Sequence, residues 1–176
     1  IGAYSEKQII PEDKLVSVPE GISDEVASCI TLKGITAEYL LHRAYHLKKG
    51  DKVLYHAAAG ALGQILCPWA NAIGAEVIGT VGSKEKEEIA KKNGCHHVIN
   101  YSEKDFVKEV EKIVGKNGID VVYDGVGTKT FKGSIETLKI RGMMVAFGNA
   151  SGYVDTLDIK KDINAKGLFF TRPSIA

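Results

Sequence analysis

A parallel α/β sheet wound on both faces by helices is the fold this sequence predicts. Three observations carry the prediction. From about residue 50 short β-type runs alternate with helical stretches, the apolar residues of the helical stretches recur at helical spacing, and successive β-type runs are separated by crossover helices.

The first strand is Lys52-Val53-Leu54-Tyr55-His56-Ala57, followed by a helix from Leu62 to Ile73 with Leu62, Ile65, Leu66, Trp69 and Ile73 on one face. Glu76–Val81 makes the second strand. The helix after it opens at Ser83, a good N-cap, and closes at Gly94, a good C-terminal stop. His97–Asn100 is a short third strand, and the next helix carries Phe106, Val110 and Ile113 on one face. Ile119–Asp124 is the fourth strand, and a helix follows over residues 129–139. Two further strands are expected at Met143–Phe147 and Leu168–Thr171.

Residues 1–22 read differently. Two β-type runs, Gln8–Ile10 and Leu15–Val18, are broken by Pro11 and Pro19 with no crossover helix between them, which suggests the tail of a separate β-rich domain. Residues 23–46 read as linking helices, with Ser23 as N-cap. The domain reading is therefore 1–30 for the tail and linker and 31–176 for the α/β domain. The chain opens at Ile1 without a methionine and ends at Ala176 just after a strand-like run, so both ends read as boundaries inside a longer protein.

Composition excludes several classes. The 44% hydrophobic and 26% charged content is that of an ordinary globular domain, and a formal net charge of +1 gives no reason to expect a nucleic-acid or membrane partner. No apolar run reaches the roughly 18 residues of a membrane span. Three widely spaced cysteines, Cys29, Cys67 and Cys95, form no disulfide framework and no CxxC pair, which points to a reducing, cytoplasmic home.

The first strand runs directly into Ala57-Ala58-Ala59-Gly60-Ala61-Leu62-Gly63, where the amphipathic helix begins. Strand, small-residue turn and helix form the arrangement that binds a dinucleotide pyrophosphate. Gly60 admits the phosphates to the backbone, Gly63 lets the helix pack close to the strand, and the helix start supplies free N–H groups and partial positive charge. Ala58 stands at the usual first glycine, which is tolerable where the turn needs no positive φ there. Folds that prefer NAD place Asp or Glu about 20 residues beyond the glycine turn, on the ribose 2′-hydroxyl. Here that stretch reads Gly79-Thr80-Val81-Gly82-Ser83-Lys84-Glu85-Lys86, with no carboxylate at the end of the strand. Ser83, Lys84 and Lys86 at a helix start suit a 2′-phosphate, so NADP is the expected cofactor.

At this point the chain resembles the zinc-independent quinone oxidoreductases (zeta-crystallin type) of the medium-chain dehydrogenase/reductase superfamily. The matching stretches run in order over nearly the whole chain: Leu32–Leu41, His56–Gly63, Gly79–Gly82, Val98–Tyr101, Val121–Gly127, Phe147–Asn149 and Thr171–Ser174. The resemblance implies a Rossmann-type domain behind the remnant of a GroES-like catalytic domain. It implies that Ala61 and Leu62 offer amides to the pyrophosphate, beside Gly60 and Gly63. Lys86 and Tyr101, next to Gly82 and Ser83, would hold the 2′-phosphate. Val126 would pack near the cofactor, Phe147, Gly148 and Asn149 would line its nicotinamide end, and Thr36 and Tyr39 would approach the nicotinamide from the linking helices. It further implies a quinone-like small-molecule substrate and a homodimer joined edge to edge through Leu168–Thr171. In this family most of the substrate domain lies outside the stretch present here, so the fragment alone is expected to be inactive.

No metal is expected. Leu32 falls where zinc-dependent relatives carry a cysteine ligand, and the cysteines are too scattered for a Cys₄ site. His42 and His46 are spaced i, i+4, but Arg43 stands where HExxH needs glutamate, so they read as a chance pair on an exposed helix face. His96 and His97 should point to opposite faces of a strand. No GxSxG or Cys/His catalytic pattern is present, and hydride transfer needs none; no acid, base or nucleophile is assigned. Enoyl or alkenal reduction, or a non-catalytic NADPH-binding role of the crystallin or RNA-binding kind, remain the alternatives.

Overall fold

A computed structural model describes residues 4–174. Contacts divide the chain into two units, one up to Leu32 and one from Lys33 onward. In the second unit six strands among the described residues form one parallel sheet: β1 Lys52–His56, β2 Glu76–Val81, β3 His97–Asn100, β4 Ile119–Asp124, β5 Leu138–Ala146 and β6 Phe169–Thr171. Their spatial order is β3-β2-β1-β4-β5-β6. The chain builds outward from β1 to β3, returns to lay β4 beside β1, and builds outward again. The doubly wound α/β fold expected from the sequence is therefore the fold observed. At the reversal, adjacent loops leave β1 and β4 in opposite directions and open a crevice at the strands' C-terminal ends.

Both faces of the sheet are covered. Val53, Tyr55, Val77, Val121, Tyr123 and Val145 pack with Leu66, Cys67 and Ala70 of α2 (Gly63–Ile73) on one side, where Ala90 of α3 (Lys84–Lys92) joins them. Leu54, Ile78, Val122 and Met144 pack on the other with Val110 of α4 (Phe106–Val114) and with Phe131 and Ile135 of α5 (Phe131–Thr137). Strands buried on both faces give the near-continuous apolar runs seen in the sequence. The helices end where the sequence marks them: Gly74 closes α2 at φ +94°, and Gly94, beyond α3, has φ +84°. Cys67 and Cys95 meet in the first core, where the Cys95 thiol and burial push the Cys67 thiol well above its ordinary pKa.

Four expectations need correction. The runs at 8–10 and 15–18 form no strand; a 3₁₀ turn, Glu12–Lys14, lies between them, and Ile9, Val16 and Val18 are exposed. A strand needs a neighbour for its ladder, and among the described residues this segment has none. The helix expected over 129–139 is shorter, because β5 begins at Leu138, five residues ahead of the expected Met143. Lys166 Nζ donates to the carbonyls of Ile135, Glu136 and Leu138, satisfying the end of α5 from a distant part of the chain. The first strand stops at His56, since Ala57 turns to φ +61°. His42 is half-buried against the Trp69 ring, centroids 5.4 Å apart, and His46 lies outside the helix, so they form no pair on one exposed face.

In the linking region, α1 (Asp24–Glu38) starts after Ser23, whose Oγ accepts from Val26 N at 3.3 Å, and continues as a π-helical stretch, Tyr39–Ala44. No helix among the described residues is long and apolar enough to cross a membrane.

Candidate functional site

The crevice at the reversal is floored by the turn after β1. Ala58 N donates to Thr80 O at 3.0 Å, and Gly60 N to Ala57 O at 2.8 Å, which folds the turn back on itself. The left-handed residue is Ala57, and Ala58 needs no positive φ, so a Cβ is free to occupy the usual glycine position. A Cβ on Gly63 would lie 2.3 Å from Ala58 O; the start of α2 rests directly on the strand end. No backbone acceptor among the described residues takes the N–H groups of Ala61 or Leu62, which lie at the helix start with the positive end of its dipole, ahead of the buried Gly63. That geometry accepts an anion with two or more oxygens.

Around the turn the expected residues separate into three cavities. Thr36, Tyr39 and Phe147 line one of about 340 Å³ together with Arg172. The Tyr39 end is placed by the π-helical stretch, and Phe147 by its stacking on Tyr55, centroids 6.3 Å apart. Tyr101 and Val126 line a second of about 490 Å³ with Ala57, Phe106, Lys129 and Thr130. Gly148 and Asn149, expected beside Phe147, line a third of about 250 Å³ with Arg172. The separation follows from packing: a Cβ on Gly148 would lie 2.4 Å from Gly125 O, so residue 148 is pressed against the turn after β4. A groove of about 390 Å³ beside Gly115, Thr137 and Lys166 contains none of the expected residues.

Beyond β2, Gly82 and Tyr101 come together. Tyr101 N donates to Val81 O at 3.0 Å, Ser102 Oγ to Gly82 O at 2.8 Å, and the Tyr101 hydroxyl occupies the space a Gly82 side chain would need. Ser83 stands at the start of α3 in extended conformation without capping it; its hydroxyl instead holds the Glu85 carboxyl below the usual range. Lys86 is exposed in the first turn of α3 and makes no ion pair among the described residues. It lines none of the three cavities around the turn.

Sequence reasoning gave no role to a chain of buried polar residues beneath the crevice. His56 and Asp124 end β1 and β4, Thr80 is the next-to-last residue of β2, and the three are 1%, 1% and 0% exposed in turn. Polar groups so buried must be paired, which was the available signal. His56 Nδ1 lies 2.9 Å from Thr80 Oγ1 and Nε2 2.9 Å from Ser134 Oγ. Asp124 accepts from Val126 N at 2.8 Å, Gly127 N at 3.0 Å and Thr130 Oγ1. Arg172 was also missed as a site residue; its Nη1 donates to Ala146 O at 2.8 Å.

Burial pushes the His56 pKa below its ordinary value, against a weaker opposite pull from Asp124. Below pH about 6.5 the unfolded chain binds a proton that the folded chain refuses, so stability is full above that pH and is lost as pH falls. Urea denaturation between pH 7.5 and 5.5 is expected to reveal a stability that falls as pH is lowered, with the fall flattened in His56→Gln. An unchanged slope in that variant would assign the loss elsewhere.

The described residues contain no group of three or more His, Cys, Asp or Glu placed to hold a metal. His96 Nδ1 accepts from Val77 N, and His97 Nε2 meets Glu76 Oε1 at 3.1 Å.

A family model described as zinc-binding dehydrogenase matches residues 61–176. The chain is 48% identical to a 2-haloacrylate reductase of a Burkholderia species and 46% identical to quinone oxidoreductase 1 of Escherichia coli K12, in each case over 99% of this chain and 54% of the relative. A crystal structure of 2-haloacrylate reductase superposes with TM-score 0.95 at 47% identity, over 99% of this chain and 55% of that one. The Escherichia coli quinone oxidoreductase complexed with NADPH gives 0.88 at 46% identity, over 92% and 50%. The chain spans about half the length of the curated relatives it matches.

Proposed function

The chain belongs to the zinc-binding dehydrogenase family, and on that premise we propose that it is the NADPH-binding part of an oxidoreductase that passes a hydride from NADPH to a quinone. The observation that carries the reading is the helix start at Ala61–Gly63 combined with a β2 that ends in Thr80-Val81 without a carboxylate and leads through Gly82 to Ser83 and Lys86, with Tyr101 beside Gly82. Bound NADPH supplies the hydride. The residues present would hold it: the amides of Ala61 and Leu62 on the pyrophosphate, Lys86 and Tyr101 on the 2′-phosphate, Val126 against the adenosine side, and Thr36, Tyr39 and Phe147 at the nicotinamide end. Gly60 leaves the turn bare for the phosphates, while Gly148 and Asn149 support the loop that carries Phe147. Positioning and exclusion of water are what such a site contributes.

Zinc independence belongs to the same reading and is supported by Leu32 at the position of a cysteine ligand in zinc-dependent relatives. A cytoplasmic location is supported by three free thiols, and a homodimer by β6 at the sheet edge, where Phe169 is exposed.

A second reading has its own support. Arg172 is the cation lining the Tyr39–Phe147 cavity, and a fixed guanidinium suits an acceptor carboxylate, as in the relative that reduces 2-haloacrylate. Titration of NADPH and NADH by fluorescence tests the shared part, with NADPH expected to bind at least about tenfold tighter; tighter NADH binding would remove both readings. Oxidation of NADPH by the whole protein with 1,2-naphthoquinone, compared with 2-chloroacrylate, then separates them: turnover of the quinone supports the first and turnover of the acid alone the second.

A further inference from the structure

The crevice has two banks, the turn after β1 and the turn after β4. His56 is the last residue of β1 and Asp124 the last of β4. The strands pair Tyr55 with Tyr123, so the two polar side chains follow in the next row. Ser134 of α5 is fully buried and reaches both: its Oγ lies 2.9 Å from His56 Nε2 and 3.1 Å from Asp124 Oδ2. A hydroxyl has one proton. Two acceptors lie within its reach, Asp124 Oδ2 at 3.1 Å and Thr130 O at 2.9 Å, and the charged one binds a proton more strongly; directed there, it leaves Oγ free to accept from Nε2–H, and Nδ1 then accepts from the Thr80 hydroxyl.

Each end of this bridge is tied to a wall of the 490 Å³ cavity. Ala57 follows His56 in the chain, and the Phe106 ring stands edge-on to the imidazole with centroids 5.1 Å apart. Val126 N and the Thr130 hydroxyl both donate to Asp124. These four residues line the cavity that the proposed function assigns to the adenosine half of NADPH.

We propose that Ser134 is a positioning residue for the cofactor: by joining His56 to Asp124 it sets the distance between the two banks that receive the adenosine half. The inference rests on that assignment. Ser134 touches no bound group itself, and its effect on affinity runs through Ala57, Phe106, Val126 and Thr130.

The test is titration of the chain with NADPH and with 2′,5′-ADP, for wild type, Ser134→Ala and Ser134→Thr, at a temperature where circular dichroism shows each fully folded. Ser134→Ala should weaken both ligands by the same factor, about tenfold, and Ser134→Thr, which keeps the hydroxyl, should recover most of it. A merely structural serine would lower the melting temperature and leave the affinities of the folded protein unchanged, and that result overturns the proposal. So does a loss for NADPH that 2′,5′-ADP does not share. If Ser134→Ala does not fold, the His56→Gln and His56→Leu pair decides: the glutamine keeps a donor and an acceptor and should bind better than the leucine, whereas equal affinities reject the bridge. Failure of wild type to bind either ligand removes the functional reading itself, an outcome distinct from a variant that binds as wild type does.

Discussion

Gly63→Ala is expected to lower stability by about 3 kcal/mol and to eliminate NADPH binding at concentrations that saturate the wild type. A Cβ at residue 63 would lie 2.3 Å from Ala58 O, 2.7 Å from Ala58 C and 2.9 Å from Ala58 Cα. All are backbone atoms, so no rotamer relieves the clash. Either α2 lifts from β1, opening the core around Leu66 and Cys67, or the turn from Ala57 to Leu62 is rebuilt; both displace the amides of Ala61, Leu62 and Gly63. Gly60→Ala is the internal control. Its added Cβ would meet only Ala57 O, at 3.1 Å, and its backbone is not left-handed, so the fold should stay within about 1 kcal/mol of wild type. Urea denaturation of both variants checks the stability contrast, and NADPH fluorescence of Gly63→Ala checks the binding. Similar losses of stability in the two would mean that close approach of helix to strand is not what residue 63 provides.

That contrast also shows what local sequence conveys. The strand, turn and helix from Lys52 to Ile73 form one continuous stretch, so glycine spacing and helical periodicity express its geometry directly, and the parallel sheet follows from repeating the same unit. What failed was non-local. Gln8–Ile10 and Leu15–Val18 have strand-like residues, but a strand exists only with a partner, and side-chain pattern says nothing about whether one is present. The end of α5 is set by an amine on Lys166, about thirty residues further on. Phe147 and Gly148 are neighbours in the chain yet face different cavities, because Gly148 is pressed against the turn after β4. Asp124 appeared in the sequence as a strand end and His56 as the residue before one; that they are bridged by a serine from α5 depended on a packing no single segment encodes. Arg172 was legible only as part of the matching stretch Thr171–Ser174 and not as a cavity cation, since its place depends on the carbonyl of Ala146 in the neighbouring strand.

Lys86→Glu should reverse the cofactor preference through the change of charge at one end of the crevice. A 2′-phosphate carries nearly two negative charges, while a 2′-hydroxyl carries none. Lys86 is an exposed cation free of ion pairs among the described residues, on the helix that starts beside Gly82, where the Tyr101 hydroxyl already lies. Changing it to glutamate replaces attraction by repulsion and supplies a carboxylate of the kind that NAD-preferring folds aim at the ribose hydroxyls. NADPH affinity is expected to fall about thirtyfold and NADH to change by less than about threefold, with the NADPH defect shrinking as salt is raised because the pair is exposed and screened. Tyr101→Phe should weaken NADPH by a smaller, salt-insensitive factor, since it removes a neutral hydrogen bond. Titrations of both nucleotides at low and high ionic strength measure all of this. A parallel loss of NADPH and NADH in Lys86→Glu would move the 2′-phosphate away from the start of α3 and leave the missing carboxylate as the sole basis for the NADP preference.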